Sequence, residues 1–133
     1  MTLPRRSIEI EGFKHGDQPI PAASRVGNMV STGGVFGLDR ATGTLPDDVE
    51  EQTRLMFANL AALMAAAGTS LHGILRMTFY VKAPEARAAI NSEWLKAFPD
   101  PASRPARHTL AYEHLPANMK VQCDALAVVA DNG

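Results

Sequence analysis

Asp47-Asp48-Val49-Glu50-Glu51-Gln52-Thr53-Arg54-Leu55-Met56-Phe57-Ala58-Asn59-Leu60-Ala61-Ala62-Leu63-Met64-Ala65-Ala66-Ala67-Gly68 reads as one long amphipathic helix with both ends marked. Asp47 precedes Glu50 by three residues, a capping-box spacing, and Asp48 and Glu51 put negative charge where the helix dipole favours it. Val49, Met56, Leu60, Leu63 and Ala67 recur at helical spacing, and Gly68 stands where a left-handed terminating residue belongs. Roughly 20 residues span about 30 Å, enough to cross a whole sheet. The strands on either side of this helix are the candidates for that sheet.

Upstream, Ser7-Ile8-Glu9-Ile10-Glu11 alternates strictly, which predicts a short strand with Ile8 and Ile10 inward. Gly12 to Pro21 is a polar loop over the surface or a pocket mouth. Ala22 to Val35 reads as a hairpin around Gly27-Asn28, ending at Gly33-Gly34, a pair that marks a bend or lets backbone approach a ligand. Downstream, Ile74 to Lys82 alternates, with Leu75, Met77, Phe79 and Val81 on a dry face. Pro84 opens a second helix to about Ala97, with Ala86, Ile90, Trp94 and Ala97 buried and Asn91 beside that stripe. Strands from Arg107 to about His114 and from Lys120 to Val129 close the chain, the last with Val121, Cys123, Ala125, Ala127 and Val129 on one face. Helices interleaved with strands predict an α+β domain over residues 1–133: a mixed sheet of about six strands with both helices on one face. The other face would leave Tyr80, Leu126 and Val128 bare, so oligomerisation is expected.

Composition narrows the function classes. The chain has 133 residues and a formal net charge of -1, with no block of like charge, so nothing predicts an electrostatic nucleic-acid surface. The longest apolar run is far short of a membrane span and the first residues lack an apolar leader, so no membrane partner and a cytoplasmic protein are expected. The single Cys123 has no disulfide partner within the chain. His108 and His114 lie six residues apart, roughly 20 Å along a strand, so no metal site and no metal cofactor are expected. Cys123, in mid-strand on a buried face, is an inert thiol rather than a nucleophile.

Arg104-Pro105-Ala106-Arg107-His108-Thr109 is where chemistry enters. Pro105 stiffens the backbone and holds Arg104 out of the helical region. A guanidinium held on such a corner matches a carboxylate or phosphate with two parallel hydrogen bonds. The competing reading is a surface arginine in an exposed ion pair, worth little.

Five features together, Gly33-Gly34, Glu51-Gln52-Thr53 through Asn59, Asn91, Arg104 to Arg107 and the Val121 to Val128 strand, resemble the RidA/YjgF family of reactive-intermediate deaminases. The resemblance runs from about Ser24 to Val128. It implies a chorismate-mutase-like fold assembled as a homotrimer with an inner β-barrel and a ligand pocket at each subunit interface. It also implies hydrolysis of an enamine or imine of a small carboxylic acid to a 2-keto acid and ammonia, without a cofactor. By that resemblance Arg107 grips the substrate carboxylate, backbone amides at Gly34 and Thr109 assist, and Asn91 matches the second-helix asparagine.

The chain departs from the deaminase pattern at four places. Gln122 replaces the glutamate that positions or activates water, Gly33 replaces a serine, Ile20 or a neighbour replaces a pocket tyrosine, and His108 replaces the serine after the arginine. An amide orients water but cannot take up a proton, so a general-base contribution of typically 10²- to 10⁴-fold would be missing. Ile20 and Gly33 would leave that end of the pocket larger or more apolar. Two readings follow: a divergent deaminase using Arg107 and Gln122, or a carboxylate-binding trimer without catalysis. Endoribonuclease activity ranks third, for want of a basic patch.

Overall fold

In the computed structural model, residues 4–130 are described, and the long helix is the organising element. Helix α1 runs Val49–Ala67, Asp48 caps it by accepting from the Glu51 amide, and Gly68 ends it at φ +93. The cap is therefore one residue later than the Asp47 spacing implied. Asp47 instead accepts from the Asn118 amide, which ties the helix start to a distant turn. Met56, Leu60, Leu63, Met64 and Ala67 line the buried side of α1.

Seven strands lie in one sheet: β1 Arg5–Ile8, β2 Ala23–Val26, β3 Met29–Thr32, β4 Val35–Phe36, β5 Ile74–Val81, β6 Ala106–Ala111 and β7 Val121–Val128. Their order is β1-β2-β3-β7-β5-β6, with β4 pairing β7 beyond the end of β3. The extra strand over the expected six is β4, a two-residue continuation of β3. Ser31 faces Leu126 and Val35 faces Cys123, so three residues, Thr32 to Gly34, oppose two, Asp124 and Ala125. That is a β-bulge at the paired glycines, and the Thr32 hydroxyl closes part of the broken ladder by accepting from the Ala125 amide.

Helix α2, Ala86–Ala97, carries the chain from β5 to β6, the one parallel pair in the sheet. Both helices cover the face bearing Ile74, Met77, Phe79, Val81, Val121, Cys123, Ala125 and Ala127, all buried. Leu75 leaves that face. One extra residue between Ile74 and Arg76 breaks the register with β7, and Leu75 ends 59% exposed. The first strand starts two residues before the predicted one and leaves Ile10 half-buried after it, and β6 stops at Ala111, short of His114.

The opposite face is open. Met29, Leu110 and Val128 are exposed on it and Leu126 is half-buried, the bare surface expected from the strand parity. β6 is also an edge, paired among the described residues with β5 alone.

Candidate functional site

The buried polar residues Gln52 and Asn59 of α1 serve structure. Gln52, fully buried, donates to the Pro46 and Asn118 carbonyls and accepts from the Lys120 amide. Asn59 donates to the Phe36 and Leu38 carbonyls and accepts from Arg40. All four polar atoms of these two amides are used, which makes each costly to remove. Their effect is to fix β4 and the start of β7, the two segments that flank Gln122.

Gln122 is half-buried on the open face. Its register partners are Tyr80 on β5 and Phe36 on β4. Nε2 donates to the Met119 sulfur at 3.6 Å, and Oε1 accepts no hydrogen bond among the described residues. Gly34 packs directly on this amide: a Cβ added there would lie 2.7–2.9 Å from the Gln122 side chain. Glycine is favoured by that close approach, not by a positive φ, and a larger residue would displace the Gln122 amide. His15 Nε2 bonds the Gly34 carbonyl at 2.6 Å, and since a carbonyl only accepts, Nε2 carries the proton. Phe13 and Phe36 hold the imidazole edge-on. Ile20, 53% exposed, shares with His15 and Phe13 a cavity of about 270 Å³. Gly33 is less available than expected, because its amide donates to the Ala22 carbonyl.

Arg107 lies elsewhere. It pairs with Met77, on the helix side of the sheet, and its guanidinium carbon sits 5.0 Å from the Trp94 ring and 5.1 Å from the Phe79 ring. Nε donates to the Thr109 hydroxyl at 2.8 Å, and the two Nη atoms make no hydrogen bond among the described residues. Among the described residues the ion pairs are Glu51 with Arg54 and Glu93 with Lys96, and Arg107 has no carboxylate. Desolvation, followed by the nearby Arg87, pulls the guanidinium below its ordinary pKa, the direction expected of a half-buried cation without a counter-ion. Thr109 contributes its hydroxyl, a role the sequence did not reveal. Asn91 is exposed on α2, three residues before Trp94 and so on the same side of the helix.

Arg104 does not join Arg107. It donates to the carbonyls of Phe98 and Pro99 and so closes the end of α2. His108 faces the open side, paired with Thr78, and Asp124 accepts from the Tyr80 hydroxyl at 3.0 Å. Burial, and then that hydrogen bond, hold the Tyr80 phenol above its usual pKa. Cys123 is fully buried, with its thiol pushed far up by desolvation. No group of three or more metal-ligating side chains occurs among the described residues.

Two half-sites result. Arg107, Thr109 and Trp94 form one at the sheet edge, on the helix side, with Asn91 exposed on the same side of α2 as Trp94. Gly34, Gln122, His15 and Ile20 form the other, around β4 and the open face. Within one chain they do not face a common space.

Comparison with known proteins identifies the pattern. A family model described as "Endoribonuclease L-PSP" matches residues 19–129. The chain is 34% identical over 125 residues to TdcF of Escherichia coli (strain K12), covering 93% of this chain and 97% of the other. The chain belongs to the RidA/YjgF family. A RidA-family relative from the same organism, named 2-iminobutanoate/2-iminopropanoate deaminase, is 33% identical over 124 residues, 92% of this chain and 97% of that one. The crystal structure of E. coli TdcF with bound serine superposes with a TM-score of 0.84 at 29% identity, over 94% of this chain and 99% of that one. The RidA fold is thus this chain's fold, and a deaminase-type function agrees with the names its relatives carry.

Proposed function

We propose that the protein hydrolyses a small reactive 2-imino or 2-enamino carboxylic acid to the 2-keto acid and ammonia, at pockets completed between the subunits of a homotrimer. The observation that carries this reading is Arg107: a half-buried guanidinium seated on two aromatic rings, one nitrogen fixed by Thr109, and no acidic partner among the described residues. Such a group is a preorganised carboxylate fork, and leaving it unpaired has a cost that a bound anion removes. The interface pocket is favoured because the Arg107 and Gln122 half-sites lie on opposite faces of one sheet. A neighbouring chain is the simplest source of the missing half, and the open face and free β6 edge give it a place to dock.

The chemistry needs little from the protein. Water adds to C2 of the imine and its oxygen forms a bond to carbon as the C=N π pair moves to nitrogen. Two protons pass in turn from the attacking oxygen to that nitrogen, the first giving the carbinolamine and the second the ammonium leaving group, and as the C–N bond breaks an oxygen lone pair closes the keto group and ammonia leaves. Arg107 holds the carboxylate, which fixes C2 in place. Gln122 Oε1 can accept a hydrogen bond from the attacking water but cannot receive its proton, so that proton goes to the substrate nitrogen or to solvent.

The alternative is a trimer that binds a small carboxylate without turning it over, and Gln122 is the observation that favours it. Generating 2-iminopropionate in situ with a separate enzyme, and following its semicarbazide-trappable lifetime, decides between them. Faster loss that disappears in Arg107→Ala establishes the deaminase. No acceleration by the native protein, with acceleration by Gln122→Glu, establishes the binding protein.

A further inference from the structure

Arg107 is not the only cation at its half-site. Arg87, in the first turn of α2, donates from Nη2 to the Thr109 carbonyl at 3.3 Å, while Arg107 donates to the hydroxyl of the same Thr109. The two guanidiniums therefore converge on one residue from two elements. Arg87, Asn91 and Trp94 follow one another at spacings of four and three, so they form a single stripe along α2. Trp94 lies over Arg107 at one end of that stripe, and Arg87 stands at the other.

The pair is electrostatically unfavourable as it stands. Arg87 is near enough to Arg107 to push down its pKa, and neither has a carboxylate among the described residues. The first turn of a helix offers a cation no compensation, since the dipole there is positive. Two like charges held together without a counter-ion are offset by a ligand that carries negative charge to both. One carboxylate already satisfies the fork of Arg107.

We infer that the ligand of this site carries a second anionic group, placed a few bonds from the first carboxylate and bound by Arg87, so the preferred substrate class is the imine of a short-chain acid with two oxyanion groups. This rests on the reading of Arg107 as a carboxylate fork. Asn91, between the two cations on the same stripe, is positioned to hydrogen-bond the atoms that link the two anions. Because Arg87 is exposed, its contribution falls as salt rises.

The test is calorimetric titration of the intact protein with 2-oxobutyrate, oxaloacetate and 3-phosphonopyruvate. The first two have the same four-carbon length and differ in a terminal methyl against a carboxylate, and the third replaces that carboxylate with a phosphonate. Oxaloacetate or phosphonopyruvate is expected to bind about tenfold more tightly than 2-oxobutyrate, the scale of one charge-assisted hydrogen bond. Whichever of the two leads tells whether the second group is a carboxylate or a phosphate. In Arg87→Gln the ratio is expected to fall to about one. Equal affinity for all three in the native protein, or a preference that survives Arg87→Gln, overturns the inference. Arg107→Ala separates this from the reading beneath it. If that variant binds 2-oxobutyrate as the native protein does, the carboxylate fork itself is wrong. If it loses 2-oxobutyrate while the native protein shows no dianion preference, only the role of Arg87 falls.

Discussion

Arg107 and Gln122 flank the same strand, on β6 and β7, beside Met77 and Tyr80 of β5 respectively, yet they are built on opposite principles. The Arg107 half-site is electrostatically incomplete: a cation on aromatic faces, a second cation nearby, and no anion among the described residues. The Gln122 half-site is neutral, pressed against the Gly34 backbone and fixed indirectly by two fully bonded amides of α1. The first has the properties of a binding element and the second those of a neutral polar group on fixed backbone, suited to orienting a neutral molecule such as water. Arg107 faces the helix side of the sheet and Gln122 the open side, so within one chain the two point away from each other.

The sharpest attempt to break this division is Arg107→Ala. Removing a two-point charged contact to the substrate is expected to lower kcat/KM for the imine about 100- to 1000-fold, because each charge-assisted bond is worth about 1.5–3 kcal/mol. Circular dichroism and the thermal midpoint should show the fold intact. A loss of less than fivefold would mean the fork does not bind substrate. Gln122→Glu is the complementary change. It is expected to raise kcat up to about 100-fold with KM little changed, and to introduce an acidic limb in the pH profile as the new carboxylate protonates. An effect on KM alone would move Gln122 from the water side of the reaction to the binding side.

Mixing chains tests whether the halves belong to different subunits. Arg107→Ala and Gly34→Val each damage one half-site, the second because its side chain enters the space of the Gln122 amide. If pockets form between chains, random reassembly of the two inactive variants restores native pockets at about a quarter of the interfaces. If each pocket lies within one chain, mixing restores nothing. Gly34→Ala is the milder form. The Gln122 side chain is flexible enough to move aside, so stability should change by less than about 1 kcal/mol, while kcat falls severalfold.

Much of this arrangement was legible in the residues. The helical period and Gly68 defined α1, and the alternation of Val121 to Val129 defined the face of β7, which placed Gln122 opposite the core before any coordinates. The stiff corner at Pro105 marked Arg107. What could not be read was whatever depends on chain segments far apart in sequence. The bulge that turns Leu75 outward arises from register with β7, and the Asp48 cap wins because Asp47 is drawn to Asn118. The aromatic seat of Arg107 requires α2 to bring Trp94 over β6, and the His15 contact to Gly34 joins residues 19 apart. Gln52 and Asn59 were visible as a motif, but only the structure shows that their amides are used up within the fold, on backbone carbonyls, the Lys120 amide and the Arg40 guanidinium.

The smallest expected effect tests the parity on which the comparison stands. Cys123 follows Gln122 on β7, so if Gln122 faces the open side Cys123 must be buried, as it is here. A thiol reagent should then leave the native protein unmodified for hours and label it quickly in denaturant. The same burial fixes a pH dependence. The folded thiol stays protonated well above the usual range, whereas the unfolded one ionises near pH 8.5. Above that pH the unfolded state binds fewer protons, so stability falls as pH rises, by at most about 1.4 kcal/mol per unit from this group. Cys123→Ala should remove that component of the slope, read as the difference between the two proteins in urea midpoints from pH 8 to 10. Rapid labelling of the native protein, or identical slopes, would put Cys123 within reach of solvent, and with it the assignment of Gln122 to the opposite face would fail.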